Sequence, residues 1–205
     1  MLGEIICSFY LKMRFQPPMT MRDFFGKSEG IWFIERSVHH FDVTQNESGR
    51  SNLIVDVIQP VDSRVEEVCS AQGVDIAQAR GGASFRWMAT TDEKEPNENY
   101  AAILIDIPDD DTGLTGKLIR NKGYVEGIPV VSRYWFGQDG ILTINTDYDN
   151  NQGQERAWFI NDDFRVRVST TKMMNGINLT TCCSERRCVS PETLAKMVER
   201  HHSNK

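Results

Sequence analysis

The chain lacks the clustered basic field that a nucleic-acid partner demands. Its 205 residues carry 23 Lys and Arg against 29 Asp and Glu, a formal net charge of -6, whereas phosphate recognition gathers Lys and Arg on one surface. No apolar run reaches the roughly 18 to 20 residues that a membrane span needs, so a soluble acidic protein is expected. Cysteine is sparse and odd in number: Cys7, Cys69, Cys182, Cys183 and Cys188. Cys182 and Cys183 would point to opposite faces of a strand, so no disulfide framework is expected and a reducing compartment suits the chain. Cys183 and Cys188 have no second pair or histidine at zinc-site spacing, and His39 with His40 is not an H-x-x-x-H helix, so no metal site is expected. Absent too are a G-x-S-x-G turn, a Gly-rich loop between strand and helix, and any carboxylate spacing that signals hydrolysis.

What is present is an average globular composition, 40% hydrophobic and 25% charged, in a length that suits one core. Residues 1–19 read as a leader or disordered extension: they hold a short apolar patch with no basic region before it and no small-residue cleavage site after it. Residues 20–190 read as one domain, and 191–205 as a terminal helix and tail. Thr20 sits three residues before Asp23, which predicts a capped short helix carrying Phe24 and Phe25, ending at Gly26 or Gly30 and able to plug one end of a barrel. A first hairpin follows: a strand from Ile31, a polar turn over Gln45 to Gly49, and a strand from Ser51. Val61, Val65 and Val68 at helical spacing predict one internal helix stopped by Gly73.

After Gly81 the chain reads as short strands: 83–90, 100–107, 115–120, 128–136, 141–148, 155–160, 164–172 and 177–187. Asp139-Gly140, the loop from Asp149 to Gly153, and Asn175-Gly176 are the turn signals between the later ones. Consecutive hairpins with no crossover helices make an antiparallel meander, and about ten such strands close most simply as an up-and-down β-barrel. Pro191 to His202 reads as a helix begun by Ser190 and Pro191.

The most informative stretch is Gln154 to Thr171. On its second strand Arg165, Arg167 and Ser169 share one face, and Phe164, Val166 and Val168 share the other. The charged face either meets water or, in a barrel that holds a ligand, turns inward to pair with an anionic guest. Glu155 shares a face with Ala157 and Phe159 on the preceding strand. It is a counter-ion or proton donor to a bound base if that face is the lumen, and half of a surface ion pair if it is not. Trp32, Trp87, Trp135 and Trp158 suit either a barrel core or stacking on a conjugated ligand. His39 and His40 alternate faces, so at most one points inward. Residue patterns alone lead to a ligand-holding antiparallel barrel.

The segments DFFGKSEGIWFIERSVHH, QNESGRSNL, ERAWFINDDFRVRVST and CSERR go further. In that order, from about Asp23 to Arg187, they resemble the S-type phycobiliprotein lyases of the CpcS/CpeS family. The resemblance implies a lipocalin-like, fatty-acid-binding-type barrel. It would take an open-chain tetrapyrrole, phycoerythrobilin or phycocyanobilin, as a transferred substrate and not as a resident cofactor. The bilin would go by a thioether to a cysteine of an apo-phycobiliprotein subunit, with a phycoerythrin β subunit the expected acceptor, a homodimer an allowed assembly, and a cyanobacterial cytoplasm or an algal plastid stroma the compartment. The family's functional positions fall on Glu155, Arg165 and Glu185 as catalytic residues, and on Trp32, His39, Trp87, Arg167 and Ser169 as ligand-binding residues. Relatives commonly carry a second Trp shortly after the position of Trp87, where this chain reads MATTDEKEPNENY. A non-catalytic carrier of bilin or another amphipathic ligand is the alternative, since the same barrel needs only affinity for that task.

Overall fold

The computed structural model describes residues 18–41, 44, 46–88, 101–121, 129–173, 176–188 and 190–203. Helix α1 (Met21–Ser28) leads into β1 (Gly30–His40) and β2 (Asn46–Ile58), then α2 (Ser63–Ala71) and a single 3-10 turn at Ile76–Gln78. Eight strands follow: β3 (Gly82–Met88), β4 (Ala101–Pro108), β5 (Thr115–Arg120), β6 (Val131–Phe136), β7 (Leu142–Asp147), β8 (Asn151–Asn161), β9 (Phe164–Met173) and β10 (Gly176–Cys188). Helix α3 (Pro191–Ser203) ends the described chain. Every strand is antiparallel to its sequence neighbours, and β1 pairs with β10, with Ile31 opposite Cys188, to close a ten-stranded barrel. The expected up-and-down meander is therefore the observed fold.

Helix α1 forms where its caps dictate. The Thr20 hydroxyl accepts from the Asp23 amide while the Asp23 carboxylate accepts from the Thr20 amide, a reciprocal capping box. The helix runs to Ser28, past Gly26, and Gly30 turns the chain into β1 with a φ of 117° that disfavours other residues. Met21, Phe24 and Phe25 are buried in the lumen cluster together with Trp32, Phe136 and Phe159, so α1 closes one end of the barrel.

Helix α2 covers part of the outside. Val65, Val68 and Cys69 bury against Ile58, Ile105, Ile107 and Ile119, the outward residues of β2, β4 and β5. Val61 was expected on this buried face, but it is 96% exposed. The Asp62 side chain caps the helix by accepting from the Arg64 amide, which leaves Val61 in the turn before the first helical residue.

Two strands are longer than their sequence suggests. The polar residues Asn46 to Gly49, expected in a turn, belong to β2, because β1 pairs with them as far as His39 opposite Asn46. Asn151 to Gly153 likewise open β8, with Gly153 opposite Thr146 and Thr171. Both segments lie at the end of the barrel away from α1, where polar side chains meet water and hydrophobic alternation fades. The Asp139-Gly140 turn forms as expected, with Gly140 at φ 75°, while Asn175 and the residues matching the absent second Trp lie outside the described residues.

Candidate functional site: a charged inner wall facing an aromatic one

Strand parity fixes what looks into the barrel. Trp32 and Leu53 sit opposite each other in the lumen cluster, so even-numbered residues of β1 and odd-numbered residues of β2 face inward. Counting along the register puts Phe85 and Trp87, Leu104, Leu118 and Arg120, Ile144, Glu155 and Ala157, Arg165 and Arg167, and Cys183 and Glu185 on the same inner face. The R-x-R strand is turned inward: Arg165 is 4% exposed and Glu185 is fully buried. Val166 and Val168, the apolar face of the same strand, look outward and are only half-buried.

The inner wall of β8, β9 and β10 holds four charges of alternating sign in one chain of contacts. Arg165 Nε donates to Glu185 Oε2. Arg167 Nε donates to Glu185 Oε1 at 2.8 Å, and its Nη1 donates to Glu155 Oε2 at 3.1 Å. The register explains the order, since Arg165 lies opposite Glu185 and Phe159, and Arg167 lies opposite Cys183 and Ala157. Every charge has a partner of the opposite sign, and the two central ones, Glu185 and Arg167, have two, the condition under which buried ions survive desolvation. Burial raises the Glu185 pKa, yet Arg165 and Arg167 together outweigh it and hold the carboxyl below its ordinary range. Burial opposes the charge on Arg167 as well, and Glu185 and Glu155 more than restore it. Glu185 is thus a fixed carboxylate whose two oxygens are both engaged. The thiol of Cys183 faces Arg167 Nη2 at 3.8 Å, and burial pushes its pKa up.

The opposite wall is mostly apolar, with Arg120 its one charged lining residue among those described. Leu53, Phe85, Trp87, Leu104 and Leu118 face Glu155, Arg165 and Arg167 across a narrow cavity of about 40 Å³ that is partly open to solvent, floored by Met21, Phe24 and Phe25 of α1. Phe85 and Trp87 stack with centroids 6.0 Å apart and planes 22° apart, presenting aromatic surface beside the space. The side chains leave room here for a few waters, so a ligand of several rings enters only as the lining side chains move apart.

The eight sequence-selected positions divide by location. Glu155, Arg165, Arg167 and Trp87 line the cavity. Glu185 lies behind the two arginines. Ser169 continues the inner face of β9 opposite Thr181, half-buried and further from α1. Trp32 is fully buried below the cavity, with the guanidinium carbons of Arg165 and Arg187 each 4.4 Å from its ring centre, so it supports an arginine and does not offer a free face. His39 falls on the outer face and is exposed, while His40 is the inward one, 3.0 Å from Glu47. Counting alternation from Trp32 gives that answer, because His40 shares its parity. Trp135 and Trp158 look outward, Trp135 being 38% exposed.

Sequence reasoning missed Arg120, a buried third arginine in the cavity lining, because a lone arginine ending a short strand reads as a solvated cap. It also missed Ser28 and Arg187, whose partners are remote in the chain.

Comparison with known proteins agrees with this architecture. The CpeS-like protein family matches residues 20–188. A protein of Trichodesmium erythraeum named chromophore lyase CpcS/CpeS 4 is 58% identical over 189 residues, which is 92% of this chain and 98% of that protein. A chromophore lyase CpcS/CpeS from Synechococcus sp. strain WH8020 is 44% identical and spans 89% of this chain and 91% of its own. The solved S-type phycobiliprotein lyase CPES from Guillardia theta superposes with a TM-score of 0.70 at 27% identity, covering 84% of this chain and 94% of that one. With near-complete coverage on both sides and the same barrel, this chain belongs to the CpeS-like family of chromophore lyases.

Proposed function

We propose that this protein binds an open-chain tetrapyrrole in the barrel cavity and attaches it by a thioether to a cysteine of a phycobiliprotein subunit. The observation that carries the reading is the inward-facing chain Arg165, Glu185, Arg167, Glu155 opposite the stacked Phe85 and Trp87. A phycobilin has two propionates and a long conjugated, protonatable core. The guanidinium forks answer the first and the aromatic wall the second.

Roles follow from position. Arg165 and Arg167 hold carboxylate, Trp87 packs on the conjugated system, and Ser169 offers a hydroxyl nearer the open end. Glu155 is the carboxyl that lines the cavity, and it hydrogen-bonds or protonates a pyrrole nitrogen. Glu185, fully buried and bonded on both oxygens, acts by orienting the two arginines. In the reaction the acceptor thiol adds across the exocyclic ethylidene double bond. Sulfur joins the ethylidene carbon, the proton ends on the adjacent ring carbon, and nothing is lost. Drawing electron density toward a protonated pyrrole makes that carbon more electrophilic. Orientation of the bilin against the incoming thiol supplies the rest.

Phycoerythrobilin or phycocyanobilin is the substrate, a phycoerythrin β subunit the acceptor, and a cyanobacterial cytoplasm or plastid stroma the compartment in this reading. The experiment mixes the protein, either bilin and an apo-subunit, and follows a covalent fluorescent product at the acceptor cysteine. An adduct that forms at the same rate and cysteine without the protein rejects the activity. Bilin binding with no transfer to any subunit marks a carrier instead.

A further inference from the structure

The guanidinium of Arg165 has three supports, and two of them belong to the wall already described: Glu185 at Nε and the ring of Trp32 at one face. The third comes from the closing helix. Nη1 of Arg165 donates to Ser28 Oγ at 2.8 Å. Ser28 is the last residue of α1 and is fully buried.

Around that hydroxyl, the end of α1 is bonded to the same side chains. A helix C-terminus leaves carbonyls without partners inside the helix. Here the Trp32 indole donates to the Ser28 carbonyl at 2.7 Å, and Arg187 Nη2 donates to the Lys27 carbonyl at 2.6 Å. Arg187 Nη1 donates to the Glu29 carbonyl, and its guanidinium lies over Trp32. The Lys27 ammonium reaches Asp162 in the β8–β9 turn at 3.1 Å. Two hydrogen bonds at different nitrogens and one stacked face hold a planar fork against every rotation. Deleting one of the bonds lets the fork swing about the other.

We propose that Ser28 is a positioning residue for Arg165, so that the seating of α1 and the readiness of the anion-binding fork are one cooperative unit. This rests on the proposed bilin site for its functional meaning, but the positioning itself can be read without ligand. The closing helix is then more than a plug: its last side chain sets the pose of a guanidinium that lines the cavity. By linkage, a carboxylate that fixes the fork also tightens α1 on the barrel.

The test uses Ser28→Ala, with Ser28→Cys as a near-isosteric second variant if alanine unseats α1. Without ligand, nuclear magnetic resonance of the Arg165 guanidinium should show rotation at the Cζ nitrogens speeding up by about tenfold in Ser28→Ala, the scale of one lost charged hydrogen bond, while α1 amides stay protected. An unchanged Arg165 signal overturns the proposal. With ligand, absorbance titration should show free-acid bilin bound about three- to tenfold more weakly, and its propionate dimethyl ester almost unaffected. In an Arg165→Ala background the Ser28 change should add nothing. Equal weakening of acid and ester, or the same loss in that background, would make Ser28 a merely structural residue. If the parent protein binds neither acid nor ester, the bilin reading falls, and the ligand-free measurement alone judges the positioning.

Discussion

The two walls of the barrel solve opposite problems with the same strand alternation. On β2 to β5 the inner face is largely apolar, with Leu53, Phe85, Trp87, Leu104 and Leu118 beside the buried Asp106 and Arg120, and the part of the outer face that α2 covers is apolar as well. On β8 to β10 the inner face carries the four-charge chain, while outward Val166 and Val168 lie half-exposed. One wall is buried on both faces where α2 lies against it, and the other is inverted. The contrast teaches that charge inside a barrel is stable where it is self-compensating, and that such an arrangement gives a ligand something directional to meet. The apolar wall contributes area and shape.

The largest expected effect breaks the charged wall. Glu185→Gln removes the anion shared by two guanidiniums, and urea unfolding should show a loss of about 3 to 5 kcal/mol, the usual result of orphaning a buried ion. A loss below about 1 kcal/mol would mean that the charge chain is solvated and that the contrast between the walls is false.

The apolar side has its own test in Asp106. This carboxyl is 3% exposed on the inner face of β4, and burial raises its pKa from 3.8 to about 6 against the opposing hydrogen bond from the Tyr134 hydroxyl at 2.8 Å. The folded state holds the proton more tightly than the unfolded chain, so this group's contribution to stability falls as pH rises through the window from 3.8 to about 6. Asp106→Asn should therefore stabilise the protein at pH 8 by up to about 3 kcal/mol and have little effect below pH 4. A destabilised variant at pH 8 would show that the Tyr134 bond outweighs burial.

Smaller effects separate ligand from fold. Trp87→Leu should weaken bilin binding by about tenfold through lost stacking, with a melting temperature within a few degrees of the parent. Equal affinity would move the conjugated system off that wall. Arg167→Lys keeps the charge and loses the fork, so affinity for the free-acid bilin should fall more than affinity for the ester. Val166→Thr, on the outward face, should change stability by no more than about 0.5 kcal/mol and leave affinity alone. A collapse of affinity there would turn the strand around.

These contrasts also explain what could be read from residues alone. Alternation, turn dipeptides and the Thr20 cap carried the meander, its closing helix and the shared face of Arg165 and Arg167, because those are properties of neighbours in sequence. Which side of β9 faces in was not legible, since alternation is unchanged when a strand is turned over. Glu185, Trp32 and Ser28 decide it, and Ser28 lies 137 residues from the arginine it bonds. Glu155 was legible because its hairpin is local. Arg120 was not, because nothing near it in the chain marks it as inward. His40 could have been chosen over His39 by carrying parity from Trp32.

The pairing of β1 with β10 sets the order in which the protein can be made. Trp32 sits on the first strand, while Arg165, Glu185 and Arg187 sit on the last two, with Trp32 opposite Arg187 in the closing register. Contacts so distant along the chain form late, after the cost of closing a long loop has been met. A nascent chain therefore has no assembled charged wall until β10 has left the ribosome and met β1. Under the proposed function, a pigment arriving early would find separate arginines and no fork, and its capture would report that the barrel has closed.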